Sequence, residues 1–260
     1  MPTREAEAIV LRQYALSEAD RIVVFLTREH GSLRAVAQGA RKMRSRLGAC
    51  LEPLNHVRLQ YFAKEGGDLG RIWQCEIIHS FLGKQPTLDR VYGFSYLAEL
   101  TQELAPENSP NARLFRLLLA ILQTGEQIGA SPQLIRYFEL WALKLNGWLP
   151  DYDSCSGCGI CIKKMGFFAW PEAGESRCSR CAENRGIRVG AEAARLFHEA
   201  LLLSPAQFAG RPLSDSAAYD LERLTQVLIE WHLEKRLKSY AVLQRVLNGN
   251  GSQEIDRNTP

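Results

Sequence analysis

Alternation of apolar and polar residues dominates the first 80 residues and predicts a β-rich domain. The run Val57–Phe62 alternates in this way, as a strand with one buried face should. Other segments share its enrichment in β-branched and aromatic residues, and Glu29–Gly31 and Gly66–Asp68 supply turn chemistry. The five predicted strands are Ala8–Tyr14, Arg21–Thr27, Leu33–Gln38, Val57–Phe62 and Arg71–His79. Five short strands in this length predict a small barrel, with an OB-fold as the natural candidate.

A helical spacing of apolar residues replaces this alternation after Pro86. Thr87 is a predicted helix cap, Pro132 suits a first helical position, and Gly147 with Pro150 ends a helical run. The predicted helices are Leu88–Leu104, Asn111–Gln123, Pro132–Leu145, Ala191–Leu202 and Tyr219 to about Leu247. The fold class is therefore α+β and multidomain, with a barrel followed by a helical domain that carries an insert.

A cysteine cluster occupies this insert and holds five of the seven cysteines within 27 residues. Cys155 with Cys158 and Cys178 with Cys181 form two CxxC pairs separated by 19 residues, a spacing typical of a four-cysteine zinc site. Because Zn²⁺ prefers four soft ligands in a tetrahedron, these four cysteines predict one structural zinc ion. Cys161 is a fifth thiol that such a site does not need.

Three other interpretations of the cluster stay open. The cysteines are unligated thiols in the first. The second is an iron–sulfur cluster, since the run from Cys155 to Cys161 begins like a ferredoxin motif, although Met165 stands where its fourth cysteine belongs. The third is the metal site of a hydrolase, which needs an open ligand position that four cysteines do not leave. We therefore expect no catalytic residue and no enzyme activity.

These patterns divide the chain into four parts. The OB-fold nucleic-acid-binding domain covers residues 1–80, and a helical bundle covers residues 81–150 together with 191–247. The zinc module is the insert of residues 151–190. Residues 248–260 are polar without periodicity and are predicted to be a disordered tail.

The net charge of the 260-residue chain is only +3, but its distribution is uneven. Residues 1–80 hold 12 Lys and Arg against 9 Asp and Glu, and residues 155–190 hold 6 against 3. The cations of the second region either offset the negative charge of four thiolates or contact nucleic acid. The sequence shows neither a signal peptide nor a membrane-spanning segment, so a cytoplasmic location is expected.

The segment Gly39–Gly48, which we call the basic segment, holds four cations within six residues directly after a predicted strand. Arginine and lysine contact phosphate with little dependence on base sequence, so this segment predicts a nucleic-acid contact on the barrel. A solvated surface loop is the alternative. Arginines on the neighbouring strands favour binding. The predicted contacts are Arg12, Arg21, Arg34, Arg41, Lys42, Arg44 and Arg46.

Several short runs and the order of the parts also carry a family resemblance. The runs are Glu7–Leu11, Ser17–Arg21, the basic segment leading to Leu51–Leu54, Gly147–Pro150 before the cysteine pairs, and Leu237–Ser239. With the order of barrel, helices, inserted zinc module and helices, they resemble the RecO family of bacterial DNA repair proteins over nearly the whole chain.

The resemblance implies an N-terminal OB-fold, a helical domain with a zinc-binding insert, and binding to single- and double-stranded DNA. It also implies annealing of complementary strands, recombinational repair with RecR, and contact with the single-stranded DNA-binding protein. Arg41, Lys42, Arg44 and Arg46 would then contact DNA, and the four paired cysteines would bind zinc. We expect a nucleoid-associated location, no membrane and no small-molecule substrate. The alternative is an RNA-binding or translation-associated protein, since OB-folds and zinc modules serve RNA equally well.

Overall fold

The computed structural model describes residues 3–43, 45, 47–62, 69–83, 85–107 and 109–247. The chain divides into two compact units, which are described separately. The first unit contains Met1–Gly129 and Leu237–Pro260, and the second contains Ala130–Arg236. The predicted tail of residues 248–260 and the predicted turn Gly66–Asp68 lie outside the described residues.

The first unit is built on a closed five-stranded barrel with the strand order β1-β2-β3-β5-β4, in which β4 pairs again with β1. All pairings are antiparallel except a short parallel contact between β3 and β5 at Ala35 and Gly70. This is the predicted OB-fold, and all five predicted strands are confirmed. The first strand starts five residues earlier than predicted, and the ends of the other strands differ by at most two residues. The strands are β1 Thr3–Ala15, β2 Arg21–Thr27, β3 Gly31–Ala37, β4 Asn55–Phe62 and β5 Gly70–Ser80.

The alternation along β4 places its apolar side chains in the barrel core. Val57, Leu59 and Tyr61 are buried, whereas Arg58 is exposed. Strand β2 differs because five successive residues are buried. One face of β2 lines the core, and the other packs against the helices of the same unit.

Three helices complete the first unit: α1 Leu88–Leu104, α2 Ala112–Ile128 and α8 Lys238–Leu247. The α2 helix starts at Asn111, whose side chain accepts a hydrogen bond from the backbone N–H of Leu114 at 3.2 Å. Helix α8 packs on α1, where the backbone N–H of Ser239 donates to the Glu99 carboxylate at 2.8 Å. The barrel therefore has helices from both ends of the sequence beside it.

The long helix predicted from Tyr219 to about Leu247 is two helices, and that prediction was wrong. Helix α7 is Asp215–Leu233, and α8 follows after a break. At the break, Glu234 has a φ of 55°, a left-handed backbone conformation that ends an α-helix. The two helices belong to different compact units, so the helices predicted as one bundle are divided between the units.

The second unit combines four helices with the cysteine insert. The helices are α3 Pro132–Leu145, α5 Ala191–Ala200, the short α6 Pro205–Ala209 and α7. Helices α3 and α7 are joined by a buried polar cluster. In this cluster Arg136 forms an ion pair with Glu139 at 3.0 Å, and Thr225 donates to the same carboxylate at 2.5 Å.

The insert forms a three-stranded sheet with the order β7-β6-β8 and one short helix. The strands are β6 Phe167–Trp170, β7 Glu175–Arg177 and β8 Ile187–Val189, and the helix is α4 Ser179–Ala182. Buried Tyr152 packs on Phe167 and on Phe197 of α5, with ring centroids 5.1 and 5.8 Å apart. Among the helices in the described part of the chain, none is long and apolar enough to cross a membrane.

Candidate nucleic-acid interface and metal centre

The β1–β2 turn and the basic segment lie side by side at one end of the barrel. The last residue of β3 pairs with the first residue of β2, so both connections leave the barrel at this end. Asp20 in the turn accepts a hydrogen bond from the backbone N–H of Gly39 at 2.8 Å. The backbone N–H of Arg41 donates to the carbonyl oxygen of Ala19 at 3.0 Å. The β1–β2 turn thus holds the start of the basic segment in place.

The described part of the basic segment is a series of tight turns. Gly39 has a φ of 66°, which favours glycine, and its carbonyl oxygen accepts the N–H of Lys42 at 3.1 Å. The carbonyl oxygen of Lys42 accepts the N–H of Ser45 at 2.9 Å. Ala40 points into the barrel core, while Arg41 and Lys42 are exposed. The backbone is therefore fixed and the two cationic side chains face solvent.

Arg12 and Arg21 have different surroundings on the strands next to the turn. The guanidinium of Arg12 lies 4.8 Å from the ring centroid of Tyr14, a cation–π contact. Arg21 is half-buried, donates a hydrogen bond to Gln13, and lies 3.6 Å from the Glu52 carboxylate. A carboxylate thus offsets the charge of Arg21, whereas Arg12 and Tyr14 together present a cation beside a partly exposed aromatic ring.

Arg34 is exposed on β3 and forms a 2.7 Å ion pair with Glu107. Arg34 pairs with Val24 of β2, and Arg12 of β1 pairs with the same residue from the opposite edge of β2. Arg44 and Arg46 lie outside the described residues. The structure therefore exposes the neighbouring Arg41 and Lys42 on a segment anchored to the β1–β2 turn, whereas a carboxylate engages Arg34.

A disulfide at the far end of this connection was not predicted from the sequence. Cys50 is buried at the end of the connection from β3 to β4, and it is bonded to Cys75 of β5. The two Cα atoms are 6.2 Å apart across a sequence separation of 25 residues. Two single cysteines at this spacing match no known sequence motif. The disulfide is evident only from the barrel, which brings Cys50 and Cys75 together.

The metal centre is formed by two loops, one before β6 and one directly after β7. Cys155, Cys158, Cys178 and Cys181 place their sulfur atoms within 4.8 Å of one another. The sulfur atoms of Cys158 and Cys178 are 3.8 Å apart. Sulfur atoms about 2.3 Å from a central Zn²⁺ stand about 3.8 Å apart in a tetrahedron. The four cysteines can therefore hold a metal ion.

Hydrogen bonds within the module explain why the two loops converge. The backbone N–H of Ser156 in the first loop donates to the carbonyl oxygen of Ser176 in β7 at 2.8 Å. Gly157 lies against Cys181, and a Cβ atom at this glycine would stand 3.1 Å from the cysteine Cβ. Cys178 is the N-cap of α4, whose first turn brings Cys181 to the same side. Glycine at this position therefore lets the two loops approach closely.

The environment of Cys155 favours its thiolate, the form that binds metals. Burial alone would raise the pKa of the Cys155 thiol. Backbone hydrogen bonds from Cys178, Cys158 and Gly157 outweigh burial and lower this pKa to about 6. The N–H of Cys178 is 3.3 Å from the Cys155 sulfur. Backbone donors aimed at sulfur are a feature that a metal thiolate site requires.

Cys161 lies outside this group of four. It is exposed, and its backbone pairs with Ser154 in an isolated β-bridge. The bridge closes the first loop, since the N–H of Cys155 also donates to the carbonyl oxygen of Ile160 at 2.9 Å. Cys161 therefore lies at the base of the loop, whereas Cys158 lies at its tip among the other ligands.

The cations of the module have identifiable partners in several cases. Arg180 is next to the cluster, and a hydrogen bond to Cys158 together with the charges of the nearby thiolates raises the pKa of Arg180. Lys163 forms an ion pair with Asp153, and Arg177 forms one with Glu175 at 3.0 Å. The Arg180 contact matches the interpretation in which module cations offset thiolate charge.

A closed OB-fold barrel with exposed cations, followed by helices and four cysteines that could hold a metal ion, is an arrangement typical of nucleic-acid-binding proteins. Comparison with known families assigns the chain more closely. A model described as "Recombination protein O N terminal" matches residues 1–81, and one described as "Recombination protein O C terminal" matches residues 85–241. The chain belongs to the RecO family of DNA repair proteins and therefore has a role in DNA repair and recombination.

Curated relatives support this assignment over almost the full length. A DNA repair protein RecO from Koribacter versatilis is 34% identical over 245 residues, which cover 94% of this chain and 99% of the relative. A DNA repair protein RecO from Nocardioides sp. is 35% identical over 251 residues, covering 92% and 98%. One from Pelobacter propionicus is 31% identical over 250 residues, covering 96% and 100%. The family resemblance stated from the sequence is confirmed.

Proposed function

We propose that this protein binds single- and double-stranded DNA mainly through phosphates and anneals complementary strands. We also propose that it acts with RecR to help recombinase load on single strands coated by the single-stranded DNA-binding protein. The observation that carries the proposal is that the basic segment, whose Arg41 and Lys42 are exposed, is anchored to the β1–β2 turn through the backbone N–H groups of Gly39 and Arg41. Cations fixed in this way neutralise phosphates of any sequence. The family's role in DNA repair supports DNA as the polyanion.

The annealing step follows from where the cations act. Two complementary strands repel each other, so a protein that unites them must neutralise phosphate charge while leaving base edges accessible. A surface of arginine and lysine side chains does this, because phosphate contacts position a strand without reading its bases. The contacts proposed for this surface are Arg12, Arg21, Arg34, Arg41, Lys42, Arg44 and Arg46.

We assign one structural zinc ion to Cys155, Cys158, Cys178 and Cys181. The proximity of the four sulfurs supports the assignment, as does the soft, closed donor set that tetrahedral zinc prefers. Four protein ligands leave no position for a substrate, so the proposed role of the metal is to stabilise the module. No catalytic residue is assigned.

We assign one role to each predicted domain. The barrel of residues 1–80 is the DNA-binding domain, residues 151–190 are the zinc module, and the helices of residues 81–150 and 191–247 form the scaffold. Chromosomal DNA as the substrate implies a place at the nucleoid in the cytoplasm.

A strand-annealing assay tests the proposal. Two complementary labelled oligonucleotides are mixed with the protein, with and without the single-stranded DNA-binding protein and RecR. We expect faster duplex formation with the wild type, also on coated strands, and slower formation with Arg41→Ala/Lys42→Ala. The matched control is Arg113→Ala/Arg116→Ala, which removes two exposed charges from α2. An unchanged annealing rate on adding wild-type protein contradicts the proposal, and faster annealing of RNA than DNA favours the RNA-binding alternative.

A further inference from the structure

Trp73 on β5 is exposed to an extent unusual for a tryptophan. The residue is 65% exposed, although aromatic side chains of this size contribute most to stability when buried. Trp73 lies on β5 and is not part of the basic segment, so the proposed role of that segment does not explain why the indole is exposed. An exposed indole on a DNA-binding barrel calls for a physical explanation.

Trp73 follows buried Ile72 in the alternation of β5, so its side chain points outward, and the strand pairing is irregular at this position. Gln60 of β4 pairs with Gln74, and the next residue, Tyr61, pairs with Ile72. Trp73 therefore has no residue opposite it on β4 and forms a β-bulge. A bulge redirects a side chain and is common next to functional sites. Ile72 remains buried in the barrel core while Trp73 turns to solvent.

One neighbouring ring supports the indole and leaves most of it accessible. Phe62 of β4 lies with its ring centroid 6.0 Å from that of Trp73, at an interplanar angle of 70°. This edge-to-face arrangement is a favourable aromatic geometry. Phe62 is the aromatic neighbour of the indole among the described residues, and the 65% exposed ring presents an accessible aromatic surface there.

The residues around this aromatic pair are cationic and polar. Arg71 is exposed, pairs with Phe62 across the strands, and precedes Trp73 by two residues. Gln74 beside it is exposed, and Gln60 is half-buried. Strand β3 pairs with β5 only as far as Arg71, so the strand edge at Trp73 has no partner in β3. An aromatic face with a neighbouring arginine complements a base attached to a phosphate.

We propose that Trp73 is a stacking platform for an unpaired base of single-stranded DNA. Phe62 supports the indole, and Arg71 contacts a neighbouring phosphate. Stacking on an aromatic ring tolerates any base, because every base has a π-face, and it therefore suits a protein that binds without reading sequence. The inference rests on the proposed DNA binding and adds a preference for unpaired bases. In a duplex, the faces of the bases are covered by their neighbours.

Three ligands of equal length separate stacking from phosphate contact: a single strand, a duplex, and a single strand whose central nucleotides lack bases. For the full-length Trp73→Ala variant, we expect about tenfold weaker binding of the single strand, with little change for the duplex or abasic strand. Trp73→Phe should retain part of the affinity. Wild-type tryptophan fluorescence should be quenched by the single strand, and Trp73→Phe should lose most of this quenching.

The matched control is Trp231→Ala, which removes another exposed tryptophan, 55% exposed, from α7. We expect it to bind all three ligands as the wild type does. Unchanged single-strand binding by Trp73→Ala overturns the stacking proposal and favours a partner protein as the ligand of this face. Equal weakening for all three ligands also overturns it, because the role of Trp73 would then be structural. If the wild type binds none of the three ligands, the proposed function itself fails.

Discussion

The guanidinium of Arg41 donates a hydrogen bond to the carbonyl oxygen of Ser17, which joins the basic segment to the β1–β2 turn. In the same turn, the carboxylate of Asp20 accepts a hydrogen bond from the backbone N–H of Gly39. A proposed DNA contact is therefore also part of the structure that positions the segment. Holding cations in place lowers the entropy lost when a strand binds, so we expect the turn to increase the affinity for DNA without contacting it.

The first prediction concerns Asp20. Replacing it with alanine removes the acceptor for the N–H of Gly39, at 2.8 Å, and should lower the free energy of unfolding by about 1 kcal/mol. The control is Asp20→Asn, which removes the same negative charge but retains an oxygen acceptor. Both variants change the net charge equally. If Asp20→Ala binds the single strand more weakly than Asp20→Asn, the difference is due to the lost positioning of the basic segment. Equal affinities would show that the anchor does not matter for binding.

The second prediction distinguishes Cys158 from Cys161. Both are exposed and belong to the same loop, but only Cys158 has its sulfur within the group of four. After dialysis against a chelator, we expect Cys161→Ser to retain one zinc ion per chain, as the wild type does, and Cys158→Ser to lose it. Elemental analysis measures the zinc content. Iron in the wild type, or zinc loss in Cys161→Ser alone, would contradict the ligand assignment.

Local patterns were sufficient to predict the barrel strands and several helices. The bounds of α1 and α3 agree with the prediction. Pro132 is the first residue of α3, whereas Thr87 stands at the N-cap position of α1 without a capping hydrogen bond from its side chain. The α7–α8 break escaped prediction because Glu234 carries the left-handed conformation that glycine usually signals. The apolar spacing continues past this residue, so periodicity alone indicates a single helix.

The candidate sites were predictable to different degrees. The cysteine ligands follow from spacing, since a CxxC loop presents two sulfurs to one point. The pairing of Arg34 with Glu107 depends on residues far apart in sequence, which no local pattern reveals. The exposure of Trp73 follows from the inward position of Ile72 before it. An aromatic residue in an apolar strand by itself predicts a core position, so the sequence does not reveal which of the two side chains points inward.

The third prediction tests the buried cluster between α3 and α7. Glu139 is fully buried and accepts a hydrogen bond from Thr225 and the ion pair from Arg136. Removing one partner of a buried pair leaves the other charge uncompensated, so Glu139→Ala should lower the free energy of unfolding by about 3–5 kcal/mol. The control Glu230→Ala breaks a 3.2 Å surface pair with Arg236 and should cost less than about 1 kcal/mol. Denaturant unfolding measures both, and similar losses would contradict the assignment.

The fourth prediction is a pH dependence at Glu7. Burial alone would raise the pKa of the Glu7 carboxyl, but hydrogen bonds and positive charge from Arg28 and His56 lower it below its ordinary value of 4.5. A carboxyl group with a lowered pKa stabilises the fold above its unfolded pKa, and this contribution is lost as pH falls through the folded pKa. Glu7→Gln should therefore be about 1 kcal/mol less stable than wild type at pH 7, with the difference shrinking below pH 4.5.

Unfolding titrations between neutral and acidic pH measure this difference. Glu5→Gln is the control, since exposed Glu5 lies 3.6 Å from exposed Arg58 and should show a smaller effect. A stability difference for Glu7→Gln that stays constant or grows on acidification would show that the carboxylate is not the source of the stabilisation.

The salt dependence of DNA binding tests most directly the central claim that the basic segment binds DNA through phosphates. Affinity for a labelled single strand is measured at increasing salt for the wild type and for Arg41→Ala/Lys42→Ala, with several unrelated sequences. We expect affinity to fall steeply with salt, to vary little with sequence, and to show a slope smaller by about 1.4 in the variant, since each lost contact on a single strand removes about 0.7. A weak salt dependence in the wild type, or the same slope in the variant, would contradict the claim.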